Sequence, residues 1–320
     1  MKLLVSATLA FGFLFAANAW AQGAPAEEYP GPRNAIRLDW MTKRLQEQKV
    51  EGDLDKEITD IKMRAHSGAK SKYSSSFSIL YSGSSLATPL AGTKPSLGGS
   101  RVEEPASMSG IVGVRYRIDK NDSVHFSTGL NRPQPLQSSE VSQPTQISTP
   151  RIGYNKTFGW LDKQISSETS VYITTTRPRR AIGEIATLAY SFTLLNPIAL
   201  TRFEGGVTAN VWQTMFSDNA EYQSNDIRQR QNDSGYNLTP TLQYKVTDKF
   251  NIYTSIALFS YAHYRDNLRF FSYQAVDSTQ TLGIGYAFSR DFYVSPSILF
   301  EPNHLSAENA NYTISTRFNL

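Results

Sequence analysis

From about residue 70 to its end, the chain alternates apolar and polar side chains with a period of two. The run Tyr236, Leu238, Leu242 and Tyr244 is typical, with polar residues at most of the positions between. Because successive side chains of a strand point to opposite faces, this alternation predicts strands with one apolar face. Twelve such runs occur between residues 70 and 320, each close to the roughly 9–11 residues that a tilted membrane strand needs.

The links between the runs alternate in length, which restricts the topology. Short links of turn-forming residues fall near 119–122, 159–163, 196–197, 247–249 and 289–291. Long links fall near 83–107, 131–147, 176–183, 217–234, 265–275 and 302–309. Short turns on one rim and long loops on the other are typical of barrels in bacterial outer membranes.

Charge separates the two faces of the predicted strands. On the apolar face only Lys156 is charged, next to a turn, whereas a cation at the lipid midplane would cost about 2–4 kcal/mol. Aromatic residues gather at both strand ends, as in interfacial girdles. Near the short turns these are Tyr116, Phe158, Tyr244 and Phe288, and near the long loops Tyr81, Tyr236, Phe300 and Tyr312.

These patterns predict an all-β fold: a closed antiparallel transmembrane β-barrel of twelve strands over residues 70–320. A soluble sandwich would show the same alternation and is the alternative. The final run, with Tyr312, Ile314, Phe318 and Leu320, resembles the C-terminal signature strand of Gram-negative outer-membrane β-barrel proteins. Those proteins usually end in an aromatic residue, and Leu320 departs from that rule. The resemblance implies a location in the cell outer membrane, contact with its lipid, and recognition by the barrel assembly machinery.

The N-terminal 69 residues have a different pattern. Lys2, an apolar stretch over 3–17 and the small residues Ala19 and Ala21 predict a signal peptide over 1–21, cleaved after Ala21. Residues 22–33 predict a linker within the segment 22–69. Apolar residues at helical spacing predict two short amphipathic helices over 34–66, with Asp53 as the cap of the second. We expect this segment to be a periplasmic extension, or else a plug in the barrel mouth. The spaced residues are Leu38, Met41 and Leu45, then Leu54, Ile58 and Ile61.

The amino-acid composition excludes several classes of function. A net charge of +4 does not indicate nucleic-acid binding, and the absence of cysteine excludes disulfides and thiolate sites. No phosphate-binding or metal-ligand spacing is present, so we expect no cofactor and no metal.

The polar face carries a basic band near the short-turn rim. In one interpretation, the band forms a constriction of the pore that selects small anionic solutes. It can equally be an ion-pair network that rigidifies the interior, or a dock for acidic residues of the N-terminal helices such as Glu47 or Asp53. The candidate pore-lining residues are Arg115, Arg117, Glu168, Arg202, Glu204, Lys245 and Arg317.

Two further groups are candidates for chemistry or binding. His125 and Ser127 lie in a segment that resembles the His-x-Ser-Asn-Gly core of outer-membrane phospholipases, with Thr128 in place of the asparagine. That resemblance implies a general base and a nucleophile, although their parity points inward, away from lipid. Tyr261, His263 and Tyr264 lie where a strand enters a long loop and predict a binding mouth.

The leading functional hypothesis is a narrow porin-like channel for small solutes, and not an enzyme. A non-conducting structural or adhesive barrel that presents its loops is one alternative. An outer-membrane phospholipase-like hydrolase is the other.

Overall fold

The computed structural model describes most of the chain after residue 56. The signal peptide, the linker and the first predicted helix lie outside the described residues, as do Asp53 and Glu47. No helix in the described part of the chain is both long and apolar enough to cross a membrane. The described residues are 57–94, 97, 104–137, 144–176, 179–180, 182–198, 201–217, 231–264, 274–275 and 278–320.

Antiparallel strands form one continuous ring, in which each strand pairs with its neighbours in sequence. Two segments, Phe250–Ile256 and Phe259–Tyr264, belong to one interrupted strand because both pair with the same preceding strand. The ring therefore contains the twelve strands that the sequence predicts. They are β1 Tyr73–Ser85, β2 Ser107–Arg117, β3 Asp122–Pro133, β4 Gln146–Trp160, β5 Lys163–Ile173, β6 Glu184–Pro197, β7 Phe203–Phe216, β8 Asn232–Thr247, β9 (the two segments above), β10 Gln280–Ser289, β11 Phe292–Phe300 and β12 Asn311–Asn319.

The ring is closed by pairing between the last strand and the first. Phe318 of β12 lies opposite Phe77 of β1. Beyond the strand, Leu320 N donates to Ser75 O at 2.8 Å, and Ser75 N donates back to Leu320 O at 2.9 Å. Closure leaves no strand edge with unpaired N–H and C=O groups, which hydrocarbon would not tolerate.

The two faces of the wall differ as the alternation predicts. On β2, Val112 and Val114 are 54% and 57% exposed on the outside, while Arg117 is 4% exposed and points inward. Aromatic rings touch on the outer surface near the short turns, where Phe292 stacks on Phe318 with 4.2 Å between ring centroids. Near the long loops, the rings of Tyr81 and Tyr312 lie 5.4 Å apart. The apolar side chains therefore surround the barrel. The other sheet in the described chain is a two-stranded pairing of Thr93–Lys94 with Glu104–Pro105, between β1 and β2.

Part of the N-terminal segment lies in the lumen that this wall encloses. The helix α1, Ile61–His66, begins after Asp60, whose side chain accepts a hydrogen bond from Met63 N at 2.6 Å. The predicted helix through Ile58 and Ile61 is therefore wrong in its boundary, since residues 58–60 are not helical. Instead, Thr59 N and Asp60 N donate to a side chain of the barrel wall, which replaces helical hydrogen bonds.

Apolar contacts hold the segment against lumen-facing residues near the short-turn rim. Two clusters are buried: Ile58 and Met63 against Leu195 of β6, and Ile61 and Ala65 against Ala287 of β10 and Tyr293 of β11. We call residues 57–69 the luminal segment.

The orientation of β2 makes a matched pair of variants informative. Val112 faces outward and its neighbour Ile111 lines the interior. In lipid vesicles, Val112→Arg should lower the free energy of unfolding by about 2–4 kcal/mol, because the guanidinium must enter hydrocarbon. Ile111→Arg should cost clearly less. Urea unfolding followed by heat-modifiable gel mobility measures both, and equal losses would contradict the assignment of faces.

Candidate functional site

The barrel interior contains two large cavities that share part of their lining. One has a volume of 430 Å³ and reaches from α1 across β5–β9, and the other, of 490 Å³, lies along β1–β4 and β12. Residues common to both form the partition between them. They are Lys62, His66, Arg115, Arg151, Tyr172, Tyr293 and Arg317.

Charge in this partition is unevenly matched. Glu168 of β5 forms an ion pair with Arg151 of β4 at 3.1 Å, and His125 Nε2 lies 3.6 Å from the same carboxylate oxygen. Lys62, Arg115 and Arg317 make no ion pair with a carboxylate of the described residues. Hydroxyl and amide side chains supply most of the remaining lining, including Ser76, Ser78, Ser315, Thr193, Thr208 and Asn210.

Guanidinium and amide groups of the wall clamp the C-terminal half of the luminal segment. Arg117 Nη2 donates to Ser67 O at 2.9 Å and to Ala69 O at 2.7 Å. Arg115 Nη2 donates to His66 O at 2.8 Å. Because the last carbonyls of a helix lack partners within it, these donors satisfy groups that would otherwise be buried unpaired. Two more donors complete the clamp: Arg290 Nη1 to Gly68 O at 2.7 Å and Asn319 Nδ2 to Ala65 O at 2.8 Å.

A second network holds the N-terminal half. Gln164 Oε1 of β5 accepts from Thr59 N at 2.8 Å and from Asp60 N at 2.7 Å. Gln243 of β8 donates to Asp60 at 2.9 Å and also to Glu204 of β7. The network is built from buried groups that are each hydrogen-bonded, so it fixes where the segment enters the barrel. Lys245 joins it through Glu204 and through Thr59 Oγ1.

An ion pair at the rim completes the attachment. Lys120, in the turn between β2 and β3, lies 2.5 Å from the carboxylate of Glu57. The hydrogen bond from Lys120, assisted by one from Gly159 N, lowers the pKa of Glu57 despite partial burial. Glu57 therefore remains ionised under mildly acidic conditions.

His66 ends α1 and lies beside the basic residues of the partition. Its depth inside the protein lowers the pKa of its imidazole well below the ordinary value, and Arg317, Lys62 and Arg115 lower it further. His66 is therefore neutral at pH 7. It adds no charge to the partition, and its Nδ1 lies 3.4 Å from Arg317 Nη1.

The structure brings most of the proposed basic band together and separates one member. Arg115, Arg117, Glu168, Glu204, Lys245 and Arg317 all lie on the interior side of the wall. Arg202 lies outside β7, in the short turn before it, is exposed, and donates to Val246 O at 3.1 Å. The alternation of side chains would place Arg202 on the interior only if β7 began one residue earlier, before Phe203.

Sequence reasoning missed two charged residues of the partition, Lys62 and Arg151. Arg151 has the interior parity of Gly153 and Asn155, so extending the fourth run by one residue would have found it. Lys62 gave no such signal, because nothing local to α1 shows that it enters a barrel.

The phospholipase-like pair lies on the interior of β3. Both His125 and Ser127 are 7% exposed and line the cavity beside β1–β4. His125 Nε2 lies 3.6 Å from Glu168 Oε1, and no hydrogen bond joins His125 to Ser127 in the described structure. The arrangement turns both side chains away from the lipid-facing surface and does not bring a base to a nucleophile.

The three residues of the proposed binding mouth lie in different environments. Tyr261 stacks on Tyr236 of β8, 5.2 Å between ring centroids, in the outer aromatic row. His263 is buried, and its Nδ1 lies 2.7 Å from Asp233. Tyr264 ends the second segment of β9 opposite Asn232. These residues do not form one cavity among those described, so a mouth built from all three stays a prediction.

Comparison with known proteins yields only distant structural likenesses. No protein-family model matches the sequence, and no curated protein matches it. An outer membrane channel from Pseudomonas putida F1 has a TM-score of 0.49 at 10% identity, covering 79% of this chain and 96% of that one. The NanC porin gives 0.42 at 7% identity, covering 77% and 100%. The KdgM porin, solved in complex with disordered oligogalacturonate, gives 0.40 at 7%, covering 76% and 98%.

The clamp predicts that Arg117 secures the luminal segment. Arg117→Ala leaves buried carbonyls of the segment without a charged donor, which should weaken docking by about 1.5–3 kcal/mol. Hydrogen exchange of amides in residues 57–69 should speed up about tenfold or more, while exchange in the strands stays slow. Arg202→Ala, which removes an exposed arginine of the same rim, is the matched control. Unchanged exchange in Arg117→Ala would show that the clamp is dispensable.

Gly68 offers an independent test of the same docking. Its φ is +80°, and an added Cβ would lie 2.9 Å from Arg115 Cδ. Gly68→Ala should therefore strain the backbone by about 1–2 kcal/mol and displace Arg115, loosening the segment in the same exchange measurement. Gly110→Ala is the control, because its Cβ would meet only Phe77 at 3.8 Å. Equal exchange in both variants would contradict this account of Gly68.

Proposed function

We propose that this protein is a narrow outer-membrane channel for small solutes, with a preference for anions. The observation that carries the proposal is a closed barrel whose polar interior holds two adjoining cavities. Lys62, Arg115 and Arg317 line both, and none of them forms an ion pair with a carboxylate in the part of the chain that the structure describes. Positive side chains lining a confined path attract anions and repel cations, because the surrounding protein screens charge less than bulk water does.

The size of the barrel supports small solutes. About eight strands leave an interior filled by side chains, and about sixteen leave an open aqueous channel. Twelve strands lie between these cases, and the luminal segment occupies part of the remaining space at the short-turn rim. Hydroxyl and amide groups around the cavities can replace water around a hydrated solute as it passes.

The location and partners of the protein follow from the same reading. The apolar exterior with its aromatic rows suits a bilayer, so we place the barrel in the outer membrane with the signal peptide removed after Ala21. Its C-terminal strand, with Tyr312, Ile314, Phe318 and Leu320, is the proposed recognition element for the barrel assembly machinery. Small solutes are its cargo, and no enzymatic step forms part of the proposal.

One observation favours a second candidate, a barrel that conducts nothing and presents its loops to partners. The luminal segment is held at both ends by hydrogen-bonded networks and apolar contacts, and such an attachment can seal the short-turn rim. The two candidates differ in what loosening the segment does. Arg117→Ala should raise conductance in a gated channel and leave a structural barrel silent.

Ion selectivity tests the channel directly. In planar bilayers with a KCl gradient, the refolded protein should give a reversal potential on the anion-selective side. The double variant Arg115→Ala, Arg317→Ala should lower the anion-to-cation permeability ratio by roughly threefold or more, since two of the uncompensated charges are gone. Arg202→Ala is the control, because its exposed charge is screened by salt.

Two results would contradict the proposal. Absence of current from both the native protein and Arg117→Ala would leave the non-conducting barrel. A current with no change of selectivity in the double variant would make Arg115 and Arg317 structural residues.

A further inference from the structure

Three cations line both luminal cavities, and none of them is within ion-pair distance of a carboxylate of the described residues. Lys62 comes from α1, Arg115 from β2 and Arg317 from β12. Asp60 and Glu168 are the carboxylates in the described lining of the 430 Å³ cavity, but Asp60 accepts a hydrogen bond from Gln243 and Glu168 is paired with Arg151. Among its described lining, the cavity along β1–β4 has four cations and no carboxylate.

Docking of the luminal segment creates this imbalance. The segment carries Lys62 into a cavity lining that already contains Arg115, Arg151 and Arg317, and His66 beside them is acted on by all four charges. Like charges brought together in this way oppose docking. An anion placed among them would turn this repulsion into attraction between the segment and the wall.

The donors needed for such an anion are not committed to the clamp. Arg115 holds His66 O through Nη2, and its Nη1 has no hydrogen-bond partner among the described residues. The contacts of Arg317, to His66 Nδ1 and to Asn319 Oδ1, are both long at 3.4 Å. Lys62 Nζ lies 5.7 Å from the centre of the Tyr253 ring, within reach of the cavity. Small movements of these side chains would therefore let them donate to an anion while Arg115 Nη2 keeps its bond to His66 O.

We propose that Lys62, Arg115 and Arg317 form a binding site for a small oxyanion, a carboxylate or a phosphate, that is shared between α1 and the barrel wall. Guanidinium groups present paired donors that match the oxygens of such an anion, and the lysine adds a point charge. Because one ligand of the site belongs to the segment, a bound oxyanion holds residues 57–69 in the lumen. The site goes beyond the proposed channel, since it concerns docking of the segment and would exist in a barrel that conducts nothing.

Thermodynamic linkage between oxyanion binding and docking of the segment sets the size of the expected effect on hydrogen exchange. A ligand that binds only the docked form lowers the opening equilibrium by a factor of one plus its concentration over its dissociation constant. At about ten times the dissociation constant, opening of the segment should fall about elevenfold. Hydrogen exchange of the segment amides then slows by the same factor when exchange follows opening.

The test uses the full mature chain in detergent micelles. Exchange in residues 57–69 is followed by mass spectrometry with acetate, with inorganic phosphate, and with chloride alone, all at one pH and one ionic strength. The native protein should show slower exchange with at least one oxyanion, in a saturable manner, while the strands do not change. Slowing by acetate alone indicates a carboxylate site, and slowing by phosphate alone indicates a phosphate site.

Variants of one helix separate the site from general salt effects. Lys62→Met keeps most of the side-chain length without the charge and should abolish the slowing, whereas Lys62→Arg should retain it. Arg64→Met is the matched control: Arg64 lies two residues further on, reaches Asp248 O at 3.4 Å on the rim, and lines neither luminal cavity. It should retain the full dependence on the oxyanion.

Clear results would overturn the proposal. Exchange that is indifferent to acetate and phosphate in the native protein would mean that the cluster binds neither. Equal slowing in Lys62→Met and in the native protein would mean that α1 does not contribute to the site. Either result leaves the channel proposal intact, because that depends on current and reversal potential and not on docking.

Discussion

Closure of the sheet is the constraint on which the rest of this molecule depends. A strand edge in hydrocarbon exposes N–H and C=O groups that nothing can satisfy, so the wall is stable in a bilayer only when β12 pairs with β1. That pairing runs from Asn319 opposite Ser76 to Asn311 opposite Ser85. Once the ring is closed, every second side chain must face outward, and the inward ones are enclosed whatever their charge. The polar interior is therefore a consequence of closure combined with alternation.

Enclosure changes what a charged side chain needs. An arginine on the surface of a soluble protein is satisfied by water, but inside a barrel it competes for a small number of acceptors. Arg117 and Arg290 find theirs in backbone carbonyls of the luminal segment. The segment in turn finds donors for carbonyls that a six-residue helix cannot satisfy itself. The wall and the segment satisfy each other's hydrogen-bonding groups, which accounts for an N-terminal segment that lies among basic residues.

The sequence predicts the wall well because the signals for it are local. Alternation at Val112 and Val114, or at Leu282 and Ile284, records which face each residue takes, and turn residues mark where each strand ends. Closure was predictable as well, since a final strand such as β12 has no other way to satisfy its edge. Leu258, between the two segments of β9, interrupts a strand that periodicity reads as continuous, because a bulge leaves little trace in the apolar pattern.

The interior was less predictable because it depends on contacts between distant parts of the chain. The spacing of Ile58, Ile61 and Ala65 records an apolar face but not what covers it, and the covering residues, Leu195 and Tyr293, lie more than a hundred positions away. The place of Arg202 was not predictable for a simpler reason: parity has meaning only within a strand, and β7 begins at Phe203. The role of Lys62 could be found only once α1 was located.

The imbalance of charge in the lumen has a physical consequence for how the molecule works. A segment held by carbonyl acceptors alone would have a docking strength that is independent of solute. In the oxyanion site that we propose, Lys62 would make docking sensitive to anions, because its charge would join those of Arg115 and Arg317 in attracting an oxyanion placed between them. A channel built in this way would bind its segment most tightly when its lumen is loaded. The residues that draw an anion in are then also the residues through which the anion determines how far the short-turn rim is open.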